Sequence, residues 1–409
     1  MILIDVVYML FIFLTLYFTI LFLVIFFDNK HAIMEGSFPK KYPHLTIIMP
    51  VWNKAKEVSE AISLIKKSVY PKDKLHILVI DDGSTDTSVS ILKKIKGIKL
   101  IISKQNNGKA NAVNTALKQV KTELVAVIDG DSYIEKNALA YMANMIQQDQ
   151  TVGAVTSAIT ARRADSFLQK LQDIEYSIIV WVRKLLQSVE SIYVTPGPLA
   201  MYRTAVVKEV GGFDPKNITE DIEIAWRIMY HGYKIRLSLQ SRAKVDAHKK
   251  FYPWWRQRLR WSMGGIQTLL KYKHTLFSSK YGMLGKFVTP FFLLSVITSL
   301  SGFAIFVYSI FLIILRVLYW FIAPTMMAQN LGDAFLLPNV FMFFGVIIFI
   351  LSLVYLYFGL NTMENRRHFN IRKLGFIEII CYLTFYVTIF PVILLVAMYR
   401  IARGDMSWC

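Results

Sequence analysis

Two acidic clusters stand at matching places in the chain. The apolar run 76–80 ends in Asp81-Asp82-Gly83-Ser84, and the run 123–128 ends in Asp129-Gly130-Asp131-Ser132. Two carboxylates one residue apart, such as Asp129 and Asp131, can hold a hard divalent cation. Mg2+ or Mn2+ would keep some water and take phosphate oxygens as further ligands. One such cluster alone reads as turn chemistry, since Asp and Gly commonly end strands. Two at the ends of strands in one sheet make a stronger case for a site. Asn107-Gly108-Lys109 opens a helical pattern whose first N–H groups, with the lysine, suit an anion. Asn217-Ile218-Thr219-Glu220-Asp221 opens another, with Ile222, Trp226 and Met229 as its core stripe and Gly232 as its stop. Acidic residues there are ordinary caps and dipole partners. An ionised Asp221 within reach of a hydroxyl would also be a general base.

A third constellation is WWRQRLRWSMGG, residues 254–265. On a helix, Trp255, Leu259, Met263, Ile266 and Leu270 fall within roughly 80° of one another. Gln257, Arg260 and Trp261 cluster on the opposite side. The plain reading is an amphipathic helix lying on a membrane, its arginines snorkelling. That reading leaves the polar-aromatic face without a task.

These residues need a scaffold. Runs 45–50, 76–80, 98–102, 123–128 and 152–157 read as strands, separated by helical patterns such as 108–120 and 135–148. The alternation predicts an α/β domain with a mostly parallel sheet wrapped by helices. Ligands in such sheets lie beyond the carboxyl ends of the strands, where the acidic clusters fall.

The remainder is apolar. Residues 6–27 form an uncharged run long enough to span a bilayer, too long for a signal-peptide core and without a cleavage site. Asp5 before it and Lys30, Lys40 and Lys41 after it orient the following domain to the cytoplasm. Residues 287–323 read as an interfacial lead-in and one outward crossing, and 335–360 as the return. Residues 365–373 form a basic cytoplasmic loop. The last apolar segment, 374–399, contains Pro391 and precedes Arg400 and Arg403. A single crossing would put those arginines outside, so a re-entrant or interfacial portion near Pro391 is expected. The domains expected are thus 1–30, a transmembrane helix; 31–250, the α/β domain; 251–286, interfacial helices; and 287–409, a transmembrane region.

Composition agrees. Of 409 residues 55% are hydrophobic, too many for an ordinary soluble enzyme, and the net charge is +19. That excess suits anionic lipid or a polyanionic small substrate. No nucleic-acid module is recognisable. Two cysteines, Cys381 and Cys409, give no disulfide framework and no zinc pattern.

Taken in order, Asp-Asp-Gly-Ser, Asp-x-Asp, Thr-Glu-Asp and Gln-x-x-Arg-Trp resemble the processive, membrane-embedded enzymes of glycosyltransferase family 2. Cellulose, chitin, hyaluronan and poly-N-acetylglucosamine synthases are among them. The resemblance implies a GT-A-type (Rossmann-like) fold, a UDP-sugar donor, a growing polysaccharide acceptor and inversion at the anomeric carbon. It also implies a plasma-membrane location and allows a small membrane accessory subunit. Carried over, Asp81 and Asp82 would contact the uridine, with Trp52 stacking on it. Asp129 and Asp131 would hold metal and diphosphate, with Lys109 and Arg260 beside the phosphates. Asp221, within Thr219-Glu220-Asp221, would be the base. Gln257, Trp261, Gly197 and Pro198 would serve the acceptor.

The chain departs from the pattern in places. Trp52-Asn53-Lys54 has a lysine where the family usually has an acid. Hyaluronan synthases typically show Gly-Asp-Asp in place of Thr219-Glu220-Asp221, and this tail ends Asp405-Met406-Ser407-Trp408-Cys409. Those differences favour a poly-N-acetylglucosamine-like polymer, most simply from UDP-N-acetylglucosamine. Two other readings compete. A single-transfer enzyme acting on a polyprenyl-phosphate lipid would generally lack Gln-x-x-Arg-Trp. A transporter or scaffold with a degenerate nucleotide fold would have lost Asp129, Asp131 or Asp221.

Overall fold

The computed structural model describes residues 2–29, 37–322, 340–364 and 376–405. Loop 365–373 and segment 324–334, which the sequence assigns to opposite sides of a membrane, lie outside or largely outside the described residues, as does the tail beyond 405.

Eight strands form one sheet in the order β3-β2-β1-β4-β7-β6-β8-β5. Strands β1 (Leu45–Val51), β2 (Leu75–Asp81), β3 (Lys99–Ile102) and β4 (Leu124–Val127) are mutually parallel. β1, β2 and β4 were legible because they are largely apolar on both faces, as a sheet covered by helices on both sides requires; the edge strand β3 is legible from its short apolar run, with Lys99 and Ile102 exposed. All seven β1 residues are buried. Leu45, Ile47, Met49 and Val51 face one core with helix α2 (Val58–Lys66), while Ile48 faces a second core. The sequence reading missed β5 (Tyr133–Ile134), β7 (Ala200–Arg203) and β8 (Lys234–Val245). β7 runs antiparallel between β4 and β6 (Val152–Ala161). It carries Ala-Met-Tyr-Arg, too short and too mixed for a periodicity argument.

Helices α3 (Ser88–Leu92), α4 (Lys109–Leu117), α5 (Ala138–Gln148), α6 (Phe167–Ser188), α7 (Thr204–Glu209) and α8 (Glu220–Tyr230) complete the domain. α9 (Phe251–Lys271) leads through a π-helical turn, Leu284–Val288, into α10 (Thr289–Ile322). α11 (Val340–Glu364) and α12 (Phe376–Ala402) follow. Among the described residues, three stretches are long and apolar enough to cross a membrane: Val6–Asn29 in α1 (Ile2–Asn29), Leu284–Leu315 and Glu378–Ala402. α1 is fastened to the domain by Phe26, whose ring lies 5.0 Å from that of the buried Trp181 on α6.

Two expectations need correction. The apolar stripe of α9 does not lie open to lipid: Leu259, Met263 and Ile266 pack against Ile393, Leu394 and Ala397 of α12. Its main aromatic anchor is Trp254, 1% exposed, with Trp255 partly buried beside it, while Leu270 is 51% exposed. Nor does α12 show the re-entrant break expected near Pro391. It runs unbroken through Pro391, and near its start Glu378 pairs with Lys170 of α6 at 3.2 Å. Its second half packs on α9, so it is tied near both ends to helices of the α/β domain.

Candidate active site

The second acidic cluster lies just past the carboxyl end of β4, where residue 129 turns back on the loop before β7: Asp129 N–H donates to the Gly197 carbonyl at 3.2 Å. Gly197 leaves room there for the side chains of Asp129 and Lys109. A Cβ would lie 2.6 Å from Asp129 Oδ2 and would also strike Lys109 Nζ. Lys109, in the first turn of α4, places Nζ 2.6 Å from Asp129 Oδ1 and 2.9 Å from Glu220 Oε1. Lys54 Nζ lies 2.6 Å from Asp131 Oδ2. Each carboxylate of the Asp-x-Asp pair thus faces an ammonium.

Burial sets the electrostatics. It pushes the Asp129 pKa up, against the pull of Lys109 and with the help of Asp131. Asp221 rises to about 6, first through burial and then through the neighbouring Glu220 charge; Lys109 and Arg260 oppose this. Burial works against Glu220 too, but Lys109 and Arg260 prevail and hold it below the usual range. Two adjacent carboxyls are therefore driven apart, one a fixed anion and the other titrating near neutrality, as acid–base sites require.

All these groups line one cavity of about 1310 Å³. Lys109, Asp129, Asp131, Glu220, Asp221, Gly197, Pro198, Gln257, Arg260 and Trp261 lie on its wall. It continues between α1, α10, α11 and α12, past Phe18, Phe291, Ser295 and Tyr355. Trp52, Asp81, Asp82 and Thr219 are not on this wall. Asp82 is occupied: its oxygens accept the N–H groups of Asn107 at 3.1 Å and Gly108 at 2.8 Å, holding the loop before α4. Asp81 accepts Ser84 N–H at 3.0 Å through Oδ1, while its buried Oδ2 has no partner. Trp52 is 49% exposed at the end of β1.

Thr219 caps α8 from below. Its side chain packs against Gly264 of α9, where a Cβ would overlap Thr219 Oγ1 and lie 2.6 Å from its Cβ. Gly265 likewise admits the Phe292 ring of α10. The glycine pair of 254–265 therefore brings three helices together beneath Asp221. Gly264→Ala should cost about 1–3 kcal/mol through overpacking and displace Asp221. Thermal melting and turnover of the purified variant measure both; an unchanged melting temperature would show that Thr219 moves aside freely.

Several groups on or just behind the cavity wall escaped the sequence reading. His248 lines the cavity, its pKa lowered by burial and then by Arg258 and Lys54. Arg183 on α6 is 1% exposed, with Nη1 unpartnered, and its pKa falls to about 10, chiefly through burial. Arg258 and Glu175 form a buried ion pair. No local pattern announces these groups, because their partners are far away in the chain: Arg258 and Glu175 are 83 positions apart, and His248 and Gln172 are 76. Among the described residues no cluster of three or more His, Cys, Asp or Glu side chains has metal-binding geometry.

A mixed sheet, parallel through β1–β4, with an acidic pair beyond β4 and a second carboxylate pair at a helix start is a GT-A-like fold. Residues 46–211 match the family described as Glycosyl transferase family 2. Poly-beta-1,6-N-acetyl-D-glucosamine synthase of Staphylococcus epidermidis is 30% identical over 247 residues, 59% of this chain and 58% of the relative. That of Staphylococcus aureus is 29% identical over 231 residues, 56% of each. The matched stretch thus spans little more than half of these relatives. A mannosyltransferase from Pyrobaculum calidifontis, solved with GDP-Man and Mn2+, shares the fold with a TM-score of 0.60 and 18% identity. That likeness covers 97% of this chain and 98% of the other.

Proposed function

We propose that the chain is a processive, inverting β-glycosyltransferase that polymerises a UDP-sugar, UDP-N-acetylglucosamine first among candidates, and passes the product across the membrane. One observation carries the reading: Gln257, Arg260 and Trp261 line the same cavity as Asp129, Asp131 and Asp221. The similarity to poly-N-acetylglucosamine synthases supports the donor.

Each residue then has a task. Asp221 removes the proton of the acceptor hydroxyl. Lys109 and Arg260 stabilise charge on the departing diphosphate. The unpartnered Asp81 Oδ2 accepts the uracil imide N–H, Trp52 stacks on the base, and Asp82 shapes the pocket through its loop. The indole of Trp261 takes the flat face of the acceptor sugar, with Gln257, Gly197 and Pro198 around it. The domain faces the cytoplasm, and α12 lies along the membrane boundary, which reconciles Arg400 and Arg403 with a cytoplasmic tail. A small accessory subunit would complete the membrane part.

The donor set suits a divalent cation. Asp129 and Asp131 offer hard oxygens one residue apart, and Asp129 is short of counter-charge even with Lys109 beside it. These two would hold Mg2+ or Mn2+, which when bound supplies charge neutralisation at the diphosphate. Mn2+ at about 100 times its dissociation constant should add roughly 2.7 kcal/mol of stability to the wild type. Asp131→Asn should lose that increment; a melting shift of equal size in the variant would remove Asp131 from the ligand set.

The function is tested by UDP release from purified protein across a panel of UDP-sugars, with GDP-mannose as a comparison donor. Linkage-specific hydrolases then digest any product. Polymer from UDP-N-acetylglucosamine supports the reading; transfer of one sugar to an added polyprenyl phosphate replaces it with the single-transfer reading.

A further inference from the structure

We propose that Tyr386, Glu175 and Arg258 form a positioning relay that fixes the Trp261 indole and makes helix α12 part of the acceptor site. The inference rests on the reading of Trp261 given above. Arg258 stands inside Gln-x-x-Arg-Trp, yet it does not line the cavity with Gln257, Arg260 and Trp261. It turns inward and is 1% exposed. Its guanidinium carbon lies 4.0 Å from the centre of the Trp261 ring, and Nη1 donates to Gln257 Oε1 at 2.5 Å. One buried cation therefore touches both residues of the motif assigned to the acceptor side, Gln257 and Trp261.

Arg258 is itself held. Its Nε donates to Glu175 Oε1 at 2.8 Å, and Nη2 pairs with Oε2 of the same carboxylate. A buried ion pair is costly unless its remaining positions are satisfied. Here Oε2 also accepts the Tyr386 hydroxyl at 2.6 Å. Tyr386 comes from α12 and is located by aromatic packing, its ring 5.9 Å and that of Phe385 5.1 Å from Trp254. The order of contact is thus α12 to α6 to α9 to the indole that lines the cavity. Apolar residues would knit three helices at less cost in desolvation. The polar chain adds direction: a bidentate guanidinium has one orientation, and the stacked indole follows it.

The test uses Tyr386→Phe, which removes only the hydroxyl and keeps the ring packing. The full chain is labelled with 5-fluorotryptophan, and the Trp261 resonance is identified by its loss in Trp261→Phe. Fluorine NMR of Tyr386→Phe should then show that resonance shifted or broadened, with the Trp254 signal less affected. A Trp261 resonance identical to wild type overturns the relay, whether or not the protein makes polymer. In the activity arm, Tyr386→Phe should yield chains roughly threefold to tenfold shorter from UDP-N-acetylglucosamine, at wild-type donor affinity. In a Trp261→Phe background the same change should have no further effect, because both act through one ring. Additive effects of the two substitutions would mark Tyr386 as structural only. A wild type that releases UDP without polymer would defeat the proposed function, while the NMR arm still decides the relay.

Discussion

Asp221→Asn should lower glycosyl transfer by about 10²–10⁴ while leaving UDP-sugar affinity near that of the wild type. The amide keeps the size of the side chain and its place at the start of α8, but it cannot take a proton. The pH profile gives an independent check. Burial and the Glu220 charge raise the Asp221 pKa to about 6, so the base is protonated and inactive below that value and ionised above it. The wild-type rate should therefore climb about tenfold per pH unit below about 6 and level off above it. The variant should lack that limb. Stability should move the other way. A carboxyl whose folded pKa lies above its unfolded value holds its proton longer in the fold. Its contribution to stability therefore falls as pH rises from the unfolded value toward about 6, and stays reduced beyond. At pH 7.5 Asp221→Asn should melt at or above the wild-type temperature. A residue serving only as a helix cap would show the reverse: normal turnover with a lower melting temperature. Kinetics and melting on one preparation separate the two roles.

How far the sequence reached depends on the range of the interaction concerned. Strands β1 to β4 were legible because each is dominated by a short apolar run, and the acidic clusters follow two of them directly. α9 was legible as a helix through its periodicity. Its surroundings were not, because an apolar stripe reads the same whether lipid or another helix covers it. The covering helix is α12, over a hundred residues away, and nothing in its own apolar sequence names α9 as its partner. The site shows the same division. Asp129, Asp131, Asp221, Gln257, Arg260 and Trp261 were named from local motifs and do meet at one cavity. Asp82, placed by resemblance at the nucleotide, spends both oxygens on backbone N–H groups. Lys54 looked like a departure from pattern, and it stands opposite Asp131, 77 positions on. Glu175 had no signal at all: a glutamate in an amphipathic helix is ordinarily solvated. Only the fold shows that Arg258 is buried against it.

Trp261→Ala should keep the protein folded and binding UDP-sugar, yet produce little or no polymer. The indole lines the cavity beside Gln257 and Arg260, and its ring is held by Arg258 at 4.0 Å. A rigid aromatic surface gives a sugar contact area at small entropic cost. Without it, the acceptor is held only by hydrogen bonds that water can replace, and the chain leaves between additions. The loss should therefore fall on product length before it falls on donor turnover: UDP release persists, with water or short sugars as acceptors. Trp255→Ala is the control. Trp255 packs at the α9–α12 contact and does not line the cavity. Its loss should lower the melting temperature or the yield from membranes while the surviving protein makes chains of normal length. The measurement is product length, UDP release and UDP-sugar affinity for both variants in one lipid nanodisc preparation. The order of the two defects carries the decision. If Trp261→Ala makes long chains while Trp255→Ala does not, α9 serves the contact with α12 alone. The acceptor would then have to be held by the residues of the 196–198 loop.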